Sequence, residues 1–127
     1  MSQAVYNVAS MNARQTLGKK GEDAAAAAYR RAGLEVIERN YRCSSGEIDI
    51  IAREGGTIVF SEVKSRSSDR YGVPILAVDA RKRARLKRLA AAWLSDRRPG
   101  PVRVRFDVVS VIVTGTRTEV TLVADAF

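Results

Sequence analysis

Asp49, Glu62 and Lys64 are the side chains of this sequence whose types and spacing could do chemistry together. Gly46 to Glu54 reads as an isoleucine-rich strand, and Thr57 to Lys64 reads as its partner. Gly55-Gly56 between them suits the positive φ angles of a two-residue hairpin turn. With those two glycines as the whole turn, paired residues have numbers summing to 111, so Asp49 faces Glu62 and Glu47 faces Lys64. Side chains alternate with a period of two, which predicts Glu47, Asp49, Glu62 and Lys64 on one face. Two carboxylates held about 5 Å apart repel unless positive charge sits between them. A divalent cation supplies that charge most simply.

The choice of chemistry is narrowed by an absence. The chain has no histidine and a single cysteine, Cys43. Ser-His-Asp and Cys-His catalysis in their usual forms are thereby excluded, as is a zinc site of ordinary ligation. Catalysis would rest on carboxylates, lysines and hydroxyls. Clustered carboxylates without nitrogen or sulfur ligands favour a hard cation, Mg²⁺ or Mn²⁺.

Lys and Arg number 22 against 14 Asp and Glu, a formal net charge of +8 over 127 residues. A small chain this basic points to a polyanionic partner, with nucleic acid the commonest. No apolar run is long enough to span a bilayer. Met1 to Ala13 have neither the basic start nor the apolar stretch of a secretory signal, and Cys43 lacks a partner for an intrachain disulfide. Both features agree with a cytoplasmic setting.

The elements that must position these residues follow in order. Residues 1–15 read as a flexible arm and residues 16–127 as one domain. Thr16 to Ala32 is predicted to be a helix, carrying Glu22-Asp23 in an early turn, a strong helix-forming run from Ala24 to Ala28, and a stop at Gly33. Leu34 to Cys43 is a first strand, Ser44-Ser45-Gly46 a turn, and the hairpin supplies two more strands. Ser65 to Val73 reads as a polar loop. Asp79 then caps a second helix from Ala80 to about Asp96. Leu86, Leu89, Ala90, Trp93 and Leu94 form its buried stripe, while Arg81, Lys82, Arg83, Arg85, Lys87 and Arg88 crowd its first half. Such like charges repel one another, which suggests an external anion as much as a solvated face. Val102 to Val113 is a fourth strand, and Glu119 to Val123 adds an edge strand. The fold class is α/β, with a mixed central sheet.

Asp49 is out of place on a purely structural strand, because aspartate is depleted there and this one sits among Ile48, Ile50 and Ile51. Glu-x-Lys alone is commonplace on an exposed strand. The joint arrangement carries more. Gly18-x-x-Gly21-Glu22, Gly46-Glu47-Ile48-Asp49-Ile50-Ile51 and Glu62-Val63-Lys64, in this order and at these spacings, resemble the YraN-type family of small predicted bacterial endonucleases. Gly72-Val73-Pro74 and Arg105-Phe106-Asp107-Val108 look like that family's later motifs, so the match runs from Leu17 to Val109. The family is similar in turn to archaeal Holliday junction resolvases within the PD-(D/E)XK nuclease superfamily. Ile48 stands where the superfamily name has proline, and Ser61 where an apolar residue is more usual.

This resemblance implies a restriction-endonuclease-like αβββαβ core with helices flanking the mixed sheet. It also implies a Mg²⁺- or Mn²⁺-dependent endonuclease acting on DNA, including branched or junction DNA. By position, Asp49, Glu62 and Lys64 match the superfamily's two acids and lysine, and Glu22 matches the helix-borne acid of the resolvase-like branch. Asp49 and Glu62, with the Val63 carbonyl, would hold the metal in an oxygen shell. Lys64 would orient water or stabilise developing charge. Glu22 would take a second cation or a proton, and Glu47 would hold the lysine. Arg66, Arg81, Lys82 and Arg85 would contact phosphates without reading sequence. Two other readings stay open: a nucleic-acid-binding module that keeps the fold without cleavage, and an assembly protein whose basic face meets a partner. A homodimer is also left open.

Overall fold

Five strands make one sheet in the spatial order β1-β2-β3-β4-β5, numbered as they occur in the chain. The computed structural model describes residues 13–67 and 79–127. Most of the expected N-terminal arm, most of the polar loop and the Gly72-Val73-Pro74 motif lie outside the described residues. Helix α1 spans Ala13–Arg31, so it starts three residues before the predicted boundary. The strands are β1 (Glu35–Cys43), β2 (Gly46–Glu54), β3 (Thr57–Arg66), β4 (Arg103–Thr114) and β5 (Arg117–Val123), and α2 spans Ala80–Arg97 between β3 and β4.

The β2–β3 turn is the two-residue turn that the glycines announced. Glu54 pairs with Thr57 and Ile50 with Ser61, so the register sums to 111. Gly55 takes φ +57°, the left-handed conformation such a turn demands. Strand β3 then runs parallel to β4 without interruption from Thr57↔Arg103 to Arg66↔Ile112. Ser65 and Arg66, expected in a loop, are therefore strand residues, because β4 continues to pair with them. All other strand pairs are antiparallel, which makes the sheet mixed.

The central strands are covered on both faces. On one, α1 lays Ala25, Ala26 and Tyr29 against Ile50, Ala52, Val59, Val109 and Val111. The alanine run lets this helix sit close. Gly21 allows the nearest approach, since a Cβ there would fall 1.7 Å from Ser65 Oγ. On the other face, α2 packs Leu86, Leu89, Ala90 and Trp93 against Tyr41, Ile48, Ile51, Ile58 and Phe60. Asp79 caps α2 by accepting the Lys82 N–H at 2.9 Å. At the helix's far end Glu38 of β1 receives Trp93 Nε1 at 2.9 Å and Arg97 through both carboxylate oxygens, fixing α2 over β1 and β2.

One buried charge cluster ties α1 to β4. Asp107 is fully buried and accepts from Tyr29 Oη (2.7 Å), twice from Arg105 (3.0 Å each) and from the Asp125 N–H (2.9 Å). Every oxygen is satisfied, as a buried carboxylate requires. Burial, the largest effect, raises the Tyr29 hydroxyl far above its ordinary pKa, so it stays a proton donor to Asp107. No helix among the described residues is long and apolar enough to cross a membrane.

Candidate functional site

Strict alternation fails in β2 at one place, and the site is built there. Ile48 and Ile51 both pack on the α2 face, although they are three residues apart. Ile50 and Ala52 pack on the α1 face. A strand of unbroken period two cannot do this, so the alternation slips at Asp49-Ile50. Asp49 consequently joins Glu47 and Ile50 on the α1 side. The β2–β3 ladder ends at Ile50↔Ser61, and beyond it the Asp49 carboxylate accepts the Val63 main-chain N–H at 2.8 Å.

Helix α1 brings the third acid. Glu22 follows Gly21, whose missing side chain permits the close seat on β3. One carboxylate oxygen from each of Glu22, Glu47 and Asp49 lies within 4.8 Å of the others. Leu17, Gly18, Glu22, Asp49, Val63 and Ser65 line a cleft of about 340 Å³ between the helix and the strand ends. Arg39 of β1 reaches in from the side, with Nη2 2.8 Å from Asp23 Oδ1 and 3.5 Å from Glu22 Oε1. Arg42 holds Glu47 from the solvent side at 2.5 Å.

The electrostatic result is concentrated on Asp49, whose pKa is pushed up to about 7. Burial contributes most, and the charges of Glu22, Glu62 and Glu47 add to it, while the Val63 N–H works the other way. A carboxyl so perturbed in a cleft marks a place where a cation would be welcome.

The expected one-face alignment of four residues is corrected here. Ser65 meets α1 at Gly21, and Val63 packs on the α1 core, so both belong to the α1 face. Uninterrupted β3 alternation puts Glu62 and Lys64 on the other side, with Ile58 and Phe60. The structure thus gathers Glu22, Glu47 and Asp49, and leaves Glu62 outside that trio, though near enough for its charge to act on Asp49. Glu47, expected to hold Lys64, stands among the acids instead. Its signal in the sequence was the Glu-x-Asp spacing, which gives both residues one face. Arg39 had no such signal, because its role depends on how β1 lies beside α1.

Of the residues expected to meet phosphates, Arg81, Lys82 and Arg85 are exposed on the first turns of α2, and Arg66 ends β3 partly buried. Arg85 lies over the start of β2: a Cβ at Gly46 would be 3.8 Å from its Cδ.

A helix-flanked mixed sheet of αβββαβ order, extended by β5 and carrying an acidic cleft where β2 parts from β3, is the class of protein these features define. The pattern of the family described as "Uncharacterised protein family UPF0102" matches residues 21–111, and the chain belongs to that family, the YraN-type family of the motif match. A UPF0102 protein of Syntrophus aciditrophicus (strain SB) is 49% identical over 110 residues, covering 87% of both chains. Another from Streptomyces griseus is 53% identical over 105 residues, covering 81% of this chain and 87% of its own. A third, from Geobacter metallireducens, is 42% identical over 113 residues, covering 89% and 93%.

Proposed function

We propose that this chain is a metal-dependent endonuclease that hydrolyses phosphodiester bonds in DNA, with branched or junction DNA as the substrate its resolvase-like motifs favour. The observation that carries the reading is the gathering of three carboxylates in a cleft on a chain of net charge +8. A binder of phosphates gains nothing from acids at its centre, whereas an enzyme that positions a cation against phosphate needs them.

The donor set fits a hard cation. Three carboxylates with no nitrogen or sulfur ligand suit Mg²⁺ or Mn²⁺, and their mutual repulsion is relieved by positive charge. Glu22, Glu47 and Asp49 would hold the ion. In an extended strand the N–H and C=O of one residue leave the same edge, so the Val63 carbonyl faces the opening beside Asp49 as a further oxygen donor. When bound there, a divalent ion serves as a Lewis acid toward phosphate and lowers the pKa of a coordinated water.

The chain's own groups supply the rest. Gly21 seats α1 against β3 and thereby delivers Glu22. Arg39 holds the Glu22-Asp23 pair toward β1, limiting the rotamers open to the acid. Lys64, from the far side of β3, offers positive charge against developing phosphate charge. The exposed arginines of α2 bind phosphates without reading bases.

One observation favours a second reading, a non-catalytic nucleic-acid-binding module: Glu62 lies outside the acid trio, and alternation along β3 sets Lys64 on the same face as Glu62. Cleavage of linear, nicked, flapped and four-way DNA with Mg²⁺ or Mn²⁺ separates the two. Cutting that Asp49→Asn abolishes supports the enzyme. No cutting on any substrate, with binding unchanged in Asp49→Asn, assigns the binding module.

A further inference from the structure

Helix α2 carries its charge in two lines rather than a diffuse patch. At 3.6 residues per turn, Arg81, Arg85 and Arg88 fall on one flank of the helix, and Arg83 and Lys87 on the other. Ala80, Ala84 and Ala91 occupy the outward ridge between them, opposite the buried stripe of Leu86, Leu89, Ala90 and Trp93. All eight flank and ridge residues are exposed. Among the described residues none of these five cations is in an ion pair with a carboxylate.

We infer that α2 docks lengthwise in the major groove of B-form duplex DNA, with its two basic flanks on the phosphates of opposite strands. This rests on the nucleic-acid reading above and specifies the form of nucleic acid and the element that receives it. A helix with its side chains is about 10–12 Å across, and the B-DNA major groove is about 12 Å wide. Phosphates line both walls of that groove, so a helix seated in it needs cations on both flanks and little bulk on its crest. Arginines on the flanks and alanines on the crest meet that requirement. An acidic protein surface would ask for no such division of charge.

Two consequences follow from the same geometry. Alanine methyls offer no hydrogen bond to base edges, so binding is independent of sequence. The major groove of A-form RNA is deep and narrow, so an RNA duplex cannot admit the helix. The Arg81-Arg85-Arg88 flank is the one beside the start of β2, where the Arg85 stem passes over Gly46.

The test is binding without metal, so that it does not depend on cleavage. Wild-type protein in chelator is titrated against a labelled DNA duplex of about two helical turns, the matching RNA duplex and the single strand, over a range of salt. DNA duplex should bind tightest. The variant Arg81→Ala/Arg85→Ala/Arg88→Ala should lose at least about tenfold in affinity and flatten the slope of log K against log salt by about 2–3. Arg83→Ala/Lys87→Ala should flatten it by about 2, and lysine at the three arginine positions should restore most of the slope. Alanine favours helix, so the variants keep α2. RNA duplex bound as tightly as DNA, or one flank whose loss leaves the slope unchanged, overturns the inference. If these bindings behave as expected while no substrate is cut with Mg²⁺ or Mn²⁺, the nuclease reading fails and the docking stands.

Discussion

Across the opening between β2 and β3, the Asp49 carboxylate accepts the Val63 main-chain N–H at 2.8 Å, replacing a backbone partner that the ladder no longer provides. The bond satisfies a strand N–H and aims an acid into the cleft at once. It also sets up the first prediction. With its pKa moved from 3.8 to about 7, Asp49 keeps a proton in the folded state that it loses in the unfolded chain. Below pH about 4 both states hold it and there is no effect. As pH rises from about 4 to about 7 stability falls, because the unfolded chain releases the proton first. The full penalty, on the order of a few kcal/mol, is present above pH about 7 in the absence of metal.

Asp49→Asn keeps an oxygen for the Val63 N–H and removes the charge. The variant should melt higher than wild type at pH 8 in chelator and equally near pH 4, as measured by thermal denaturation across pH. Divalent metal should raise the melting temperature of wild type at pH 8 and leave that of the variant nearly unmoved. A variant less stable than wild type at pH 8 would refute the buried-charge account.

Gly21 is a packing residue in a helix that otherwise favours alanine. Gly21→Ala should gain about 1 kcal/mol of helix propensity and lose about 1–3 kcal/mol to the Ser65 contact, for a net loss. An added Cβ would lie 1.7 Å from Ser65 Oγ and 2.8 Å from Ser65 Cβ, so Ser65→Ala relieves only part of the conflict. Ser65→Gly should restore stability in the double variant, a coupling that denaturant titration of the four proteins measures.

Asp107 gives a different kind of loss. It is fully buried with Tyr29, Arg105 and the Asp125 N–H on its oxygens. Asp107→Ala leaves Arg105 with only the more distant, exposed Glu54 at 3.8 Å and should cost about 3–5 kcal/mol. Tyr29→Phe removes one hydrogen bond and should cost about 1–3 kcal/mol. Urea melts order the two, and equal losses would mean that Arg105 finds another partner.

The sequence disclosed the strands and their register because glycine pairs and β-branched runs leave local marks: Gly55-Gly56 alone set Ile50 opposite Ser61. It did not disclose which face Asp49 takes. Both faces of the central strands are covered, so the run Ile48-Asp49-Ile50-Ile51 is apolar on either side and carries no record of a slip. Unbroken alternation across the hairpin would set Glu62 on the face of Asp49. The Tyr29–Asp107 contact joins residues 78 apart in the chain and has no local mark at all.

The slip at Asp49 decides which acids a divalent cation would meet in the cleft. Superfamily motifs put Asp49 with Glu62, whereas the structure puts Asp49 with Glu22 and Glu47. Glu22→Gln, Glu47→Gln and Asp49→Asn each remove one charge from the trio and should each weaken Mn²⁺ binding by about tenfold or more. Glu62→Gln removes a charge that acts on Asp49 more than Glu47 does but lies outside the gathered oxygens, so it should weaken binding less than the loss of a ligand. Calorimetric titration of Mn²⁺ into the four variants gives the ranking without needing a substrate. In the cleavage assay the three trio variants should abolish Mg²⁺-dependent cutting, while Lys64→Ala should retain metal affinity and lose rate by about 10²-fold or more. Should Glu62→Gln abolish metal binding while Glu47→Gln leaves it intact, the ligand set is the one the motifs imply, and β3 must turn Glu62 toward the cleft when the ion binds.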